Sequence, residues 1–127
     1  MSGNYWGRNN PFEPEIDEAD YRAWTSCQQG ACAAFELIPT NASGEPDRSI
    51  PYLQPITTEY DRHSGQLAIL CYGTACSVFL QGRGLKALGK AINERGCEAI
   101  RVFDPEVHRP VDNEQPVITS MEVRRVE

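Results

Sequence analysis

The stretch that decides the fold is Gln66-Leu-Ala-Ile-Leu-Cys-Tyr72, Gly73-Thr74, Ala75-Cys-Ser-Val-Phe-Leu-Gln81, Gly82-Arg83-Gly84, and then Leu85 to Gly96. It predicts strand, tight turn, strand, helix, with a central β-hairpin over 66–81. Glycine followed by threonine suits a two-residue type II′ turn, because only glycine takes the first central position at φ > 0 without strain. Counting outward, Tyr72 faces Ala75, Cys71 faces Cys76, Leu70 faces Ser77, Ile69 faces Val78, Ala68 faces Phe79 and Leu67 faces Leu80. Side chains alternate faces along a strand. One face therefore carries Leu67, Ile69, Cys71, Cys76, Val78 and Leu80 and is wholly apolar. The other, with Ala68, Leu70, Tyr72, Ala75, Ser77 and Phe79, is mixed. The apolar face is the expected core side, since a slip of one residue would expose all of it.

The helix, expected over about 84–95, supplies the cover. Leu85, Leu88 and Ile92, with Ala91 between them, form one apolar stripe, and Lys86, Lys90, Asn93 and Glu94 point elsewhere. Gly96 is expected just past the helix end, with Arg95 in the last turn. Gly82 and Gly84 let the backbone turn at the start, where no Ser, Thr, Asp or Asn cap is present. Gly89 in mid-helix costs up to about 1 kcal/mol relative to alanine; close packing on the sheet is the ordinary reason for such a residue.

Outward from this unit, Cys32–Ile38, Ile56–Tyr60, Glu98–Phe103 and Val117–Val126 read as further strands, and Thr40–Ser49 and Asp104–Pro116 as loops. Ile50–Pro55 is expected to be irregular. Residues 1–25 read as an aromatic, acidic N-terminal arm carrying Tyr5, Trp6, Phe12, Tyr21 and Trp24, with a short helix from about Asp17 to Thr25. Residues 26–127 form the single domain. The expected fold class is α+β, an antiparallel-rich sheet of about five or six strands with one main helix packed on it.

At 127 residues, with 40% hydrophobic and 24% charged residues, the chain is long enough for one core without staples. It has no apolar run of the roughly 20 residues that span a bilayer and no signal pattern at its start, so a cytoplasmic protein without a membrane partner is expected. The Asn41-Ala-Ser43 triplet then reads as loop rather than glycosylation site. The net charge of −6 argues against a general nucleic-acid binder. Its distribution is uneven. Residues 66–97 carry one acid, Glu94, against four bases, Arg83, Lys86, Lys90 and Arg95, whereas every other segment is acidic. An ordinary solvated helix face accounts for this. The sharper reading is a contact surface for an anion or an acidic partner, in which the basic helix of one subunit meets the acidic arm of another, with Trp6, Tyr21 and Trp24 as aromatic contacts.

Five cysteines include two pairs with equal spacing, Cys27/Cys32 and Cys71/Cys76. Four thiolates would suit tetrahedral zinc. A cross-strand disulfide between Cys71 and Cys76 would also fit, since the two are directly opposed. Buried free cysteine is an ordinary small hydrophobe, so reduced core thiols and no cofactor are the expectation. A nucleophilic thiol needs a histidine within hydrogen-bond reach. Only His63 and His108 exist, both in expected turns or loops, and Cys97 is the one thiol free to approach them. Asp104, Glu106 and His108 alternate and could serve a hard metal or acid/base chemistry, although Pro105 and the loop context favour a solvated stretch.

Gly84-Leu-Lys-Ala-Leu-Gly89-Lys90-Ala91 nearly spells a phosphate loop. It is rejected because Ala91 lacks the hydroxyl that holds Mg²⁺ and the intervening residues are helical in period. What remains is the free N–H groups around Gly82-Arg83-Gly84, a weak anion signal. The reading of function is an association module forming a homo-oligomer. The alternatives are a metal- or small-ligand-binding protein using the cysteine pairs, and a small-molecule enzyme with a pocket beside the sheet drawing on Cys97, His108 and Asp104.

Overall fold

The hairpin stands at the centre of the computed structural model, which describes residues 18–125. Strands β5 (Gln66–Cys71) and β6 (Cys76–Arg83) pair from Cys71↔Cys76 to Leu67↔Leu80, the register expected. Leu67, Ile69, Cys71, Cys76, Val78 and Leu80 are all buried, so the apolar face is the core face.

The turn itself differs from the type II′ expected. Gly73 does not have positive φ; Ala75 does, at 51°. The Ala75 amide donates to the Tyr72 carbonyl at 3.3 Å, and the loop has four residues, 72–75. Loops of this length are most often built around an ordinary turn rather than a primed one. Gly73 is needed for another reason. A Cβ there would lie 2.8 Å from the Cβ of Gln54, whose Oε1 accepts the Thr74 amide at 2.9 Å.

Eight strands lie in two four-stranded sheets, not one sheet of five or six. The first has the order β1 (Trp24–Ser26), β7 (Cys97–Arg101), β2 (Ala34–Ile38), β3 (Arg48–Pro51). β7 runs antiparallel to β1 and parallel to β2, and β2 is antiparallel to β3. The second is an antiparallel array of β4 (Ile56–Asp61), β5, β6 and β8 (Val117–Arg125).

The six expected strands are all present. The additional two, β1 and β3, fall where a helix and irregular chain were expected. Both are too short to show a period, and β3 tolerates Pro51 because it is an edge strand. The helix expected over Asp17–Thr25 is not formed within the described residues. Chain 18–20 is a turn, and Tyr21 and Ala23 alternate inward ahead of β1.

Helix α1 (Lys86–Asn93) buries Leu88 and Ile92, with Leu85 at its start. Its Gly89 lies against the second sheet, where a Cβ would come within 3.2 Å of Leu67 Cδ1. Its C-terminus is a Schellman motif: Gly96 N–H donates to Ala91 O at 2.8 Å and Arg95 N–H to Ile92 O at 3.0 Å. The left-handed residue is Arg95, at φ 58°, not Gly96 as the sequence suggested.

Between Gln81 and Gly82 the β6–β8 register shifts, so that Gln81 pairs Ser120 and Gly82 pairs Ile118. Thr119 is the extra residue of a β-bulge. The bulge breaks the alternation of β8, leaving Val117 and Ile118 both buried and turning Met121 toward the core. Inward residues of both sheets and of α1 form one hydrophobic cluster.

Candidate functional site

The face of α1 carries basic residues in an otherwise acidic chain. Lys86, Lys90 and Arg95 are exposed, and among the described residues their side chains make no hydrogen bond or ion pair. Arg83 is employed internally. Its Nε donates to the Gln115 carbonyl at 2.9 Å and its Nη2 to the Asp112 carbonyl, which ties the loop before β8 to the end of β6.

Of the aromatic contacts expected on the arm, Trp6 lies outside the described residues. Tyr21 is 3% exposed and belongs to the core, and half-buried Trp24 packs against it from β1.

The cysteines separate into two kinds. Cys27 and Cys32 form a disulfide. Their loop is docked on the end of α1, with Cys27 N–H donating to Gly96 O and Cys32 N–H to Arg95 O, each at 2.9 Å. Cys71, Cys76 and Cys97 are free and buried. Burial pushes the Cys71 thiol up to about 12, and the neighbouring Cys76 adds to the shift. Burial likewise pushes Cys97 up to about 12. The four thiols expected as zinc candidates are thus a bonded pair and a cross-strand pair. Among the described residues no cluster of three or more His, Cys, Asp or Glu side chains is placed to hold a metal ion.

Asp104 and His108 are the buried charged or polar residues of the described chain, at 5% and 8% exposure. The segment after β7 folds into a turn around Asp104. Its carbonyl accepts the Val107 and His108 amides, at 3.0 and 2.7 Å. Its carboxylate accepts the Glu106 amide on Oδ1 at 3.0 Å and the Asn41 amide on Oδ2 at 3.1 Å. The Asp104 amide in turn donates to His108 Nδ1 at 2.9 Å. A neutral imidazole accepting on Nδ1 carries its proton on Nε2. Burial, and then the Arg101 charge, hold the His108 pKa below its ordinary value. The ring packs against Tyr21 and Phe103, with centroids 4.9 and 5.6 Å away.

This turn forms one wall of a cavity of about 300 Å³ that Ile38, Pro39, Val102 and Val107 also line, with Glu18, Asp47 and Arg101. Asp104 and His108 are therefore brought together, but through the backbone rather than as a carboxylate–imidazole pair. Glu106 does not line the cavity. Cys97 is not among the lining residues either; its thiol donates to the Ala99 carbonyl at 3.6 Å. His63 lies in the β4–β5 turn, its amide bonded to Asp61 Oδ1 at 2.8 Å.

Arg101, Glu18 and Asp47 were not singled out in the sequence. Arg101 carried a signal: it is the one charged residue in Ala99-Ile-Arg-Val-Phe103, at the end of a strand. Glu18 and Asp47 carried none, because only the fold brings them to this place.

No protein-family model matches the chain, and neither a curated protein nor a solved structure matches it.

Proposed function

We propose that the protein acts by association, as a homo-oligomer in which the basic face of α1 receives the acidic N-terminal segment of a second copy. The observation that carries this reading is the unpaired state of Lys86, Lys90 and Arg95 in a chain of net charge −6. The chain has eighteen acids, of which Asp20, Glu45 and Glu122 pair with arginines elsewhere, and none lies within ion-pair distance of these three side chains among the described residues. The complementary stretch is Glu13 to Asp20, which holds five acids and no base. Charge complementarity of this kind guides encounter and register. An acidic protein of another sequence would meet the same face by the same rule. With this balance of charge, nucleic acid is not proposed as a partner.

The enzyme reading draws less support. Thiols pushed up to about 12 are protonated at neutral pH, and a thiol is a poor nucleophile in that form. Among the described residues no helix is long and apolar enough to cross a membrane. We place the protein in the cytoplasm; the Cys27–Cys32 disulfide counts against this placement, because glutathione keeps thiols reduced there. The oxidation state of that pair in freshly alkylated cell extract tests the placement, and a fully oxidised pair would move the protein to an oxidising compartment.

Light scattering on the eluting protein tests the association. The expected mass exceeds 14.2 kDa at low salt and falls toward 14.2 kDa at about 0.5 M salt, where the screening length is a few ångströms. Lys86→Glu with Lys90→Glu is expected to give the monomer at low salt without loss of melting temperature. A monomer under every condition, at high protein concentration, would overturn the reading.

A further inference from the structure

The cavity beside Asp104 holds charges of both signs that do not satisfy one another. Arg101 lines it and, among the described residues, its guanidinium has no hydrogen-bond acceptor and no ion pair within 4.0 Å. Glu18 and Asp47 line it and, among the described residues, neither has an ion-pair partner within 4.0 Å. Arg48, next to Asp47, pairs with Glu45 instead. His108 is more than nine-tenths buried and uses Nδ1 internally, which leaves its Nε2–H as a donor without a hydrogen-bonded acceptor among the described residues. Asp104, the remaining charge, is occupied by two backbone amides that hold the wall in shape. The rest of the lining is aliphatic: Ile38, Pro39, Val102 and Val107.

Donors for an anionic group, acceptors for a cationic one and an apolar wall within one small volume describe the complement of a zwitterion. Polar groups of this sort fix a ligand's orientation, while the apolar wall supplies contact area. We propose that this cavity binds a free α-amino acid with a small apolar side chain. The carboxylate lies toward Arg101 and His108 Nε2, the ammonium toward Glu18 and Asp47, and the side chain against Val102 and Val107. A cavity of about 300 Å³ is at the lower end of ligand sites and limits the occupant to this size. The site shares Glu18 with the acidic segment Glu13–Asp20 but no residue with the basic face of α1, so L-valine binding by the Lys86→Glu, Lys90→Glu variant reads this proposal apart from the association.

Three matched probes separate the alternatives on the full chain, followed by amide chemical-shift titration. L-valine carries both charges, isovalerate is the same skeleton without the ammonium, and isobutylamine is that skeleton without the carboxylate. Saturable shifts centred on Asn41, Val102, Asp104 and His108 are expected with L-valine, with at least about tenfold weaker binding of either single-charge probe. Asp47→Asn is expected to weaken L-valine and leave isovalerate unchanged. Arg101→Met is expected to weaken L-valine by about tenfold or more; only the backbone of Arg101 bonds to Tyr21 and Ala23, so dispersed spectra should persist. Isovalerate binding as tightly as L-valine would overturn the zwitterion assignment. The absence of saturable shifts with any of the three would overturn the site.

Discussion

The hydroxyl of Tyr21 accepts the amide hydrogen of Ile118 at 3.0 Å. The same hydroxyl donates to the Arg101 carbonyl at 2.6 Å. Arg101 ends β7 in the first sheet and Ile118 lies near the start of β8 in the second. One side chain thus spans both sheets and satisfies a buried donor and an acceptor at once.

Tyr21→Phe keeps the ring, which meets Phe103 edge-on at 5.2 Å, and removes both bonds. A buried group left without its partner costs about 1–3 kcal/mol, and a loss of about 2 kcal/mol in urea unfolding is expected. Burial also pushes the Tyr21 hydroxyl up to about 12 from an ordinary 10. A group whose pKa is raised on folding contributes stability below its unfolded pKa and loses it as pH rises through the folded one. The wild type is therefore expected to lose stability between pH 10 and 12 by an increment that Tyr21→Phe lacks. Parallel pH–stability curves for the two proteins would remove the role given to this hydroxyl.

At the end of α1 a non-glycine residue occupies the left-handed position. Arg95→Gly is expected to raise stability by about 1 kcal/mol, the strain a side chain meets at such a φ. Gly96→Ala should be nearly neutral, within about 0.5 kcal/mol, because its added Cβ would find Ala91 O at a comfortable 3.7 Å. The opposite ranking in denaturant midpoints would contradict the Schellman assignment.

Gly82 answers to a steric constraint. A Cβ there would sit 1.9 Å from the Val117 carbonyl oxygen across the bulge. Backbone cannot swing aside as a side chain can, so Gly82→Ala is expected to cost about 3 kcal/mol or more. Calorimetry showing an unchanged melting temperature would mean that β6 and β8 do not approach in this way.

The thiols should sort by accessibility. In native protein, alkylation by iodoacetamide is expected to leave Cys71, Cys76 and Cys97 unmodified, since they are buried and Cys71 and Cys97 are held up to about 12. Unfolding without reductant should expose those three only, and reduction should add Cys27 and Cys32. Closing so short a loop is worth about 2 kcal/mol in the chain-entropy account, so Cys27→Ser with Cys32→Ser should destabilise by about that amount. Mass spectrometry of the alkylated peptides reads the sorting directly.

The hairpin register was legible because every apolar residue of one face had to go inward together, from Leu67 to Leu80. The turn type was not, since Gly73 serves the approach of Gln54, a residue distant in sequence. β1 and β3 were missed because Trp24–Ser26 and Arg48–Pro51 acquire strand geometry only from their neighbours. The helix was legible from Leu85, Leu88 and Ile92, but its last residue was not, because Arg95 takes a conformation that local preference assigns to glycine. Of the cavity, Asp104 and His108 could be named from their spacing. Their partners Arg101, Glu18, Asp47 and Asn41 come from separate parts of the chain and leave no mutual pattern in it.

The position of β7 has a consequence for synthesis. β1 and β2 lie on either side of it and never touch each other as neighbours in the sheet. As the chain leaves the ribosome, both are made well before residues 97–101. Until then β1 has no strand of its sheet to pair with, whereas β4, β5 and β6 are neighbours both in the chain and in their sheet. The first sheet can therefore be completed only after residues 97–101 are made, and it rests on contacts between distant parts of the chain.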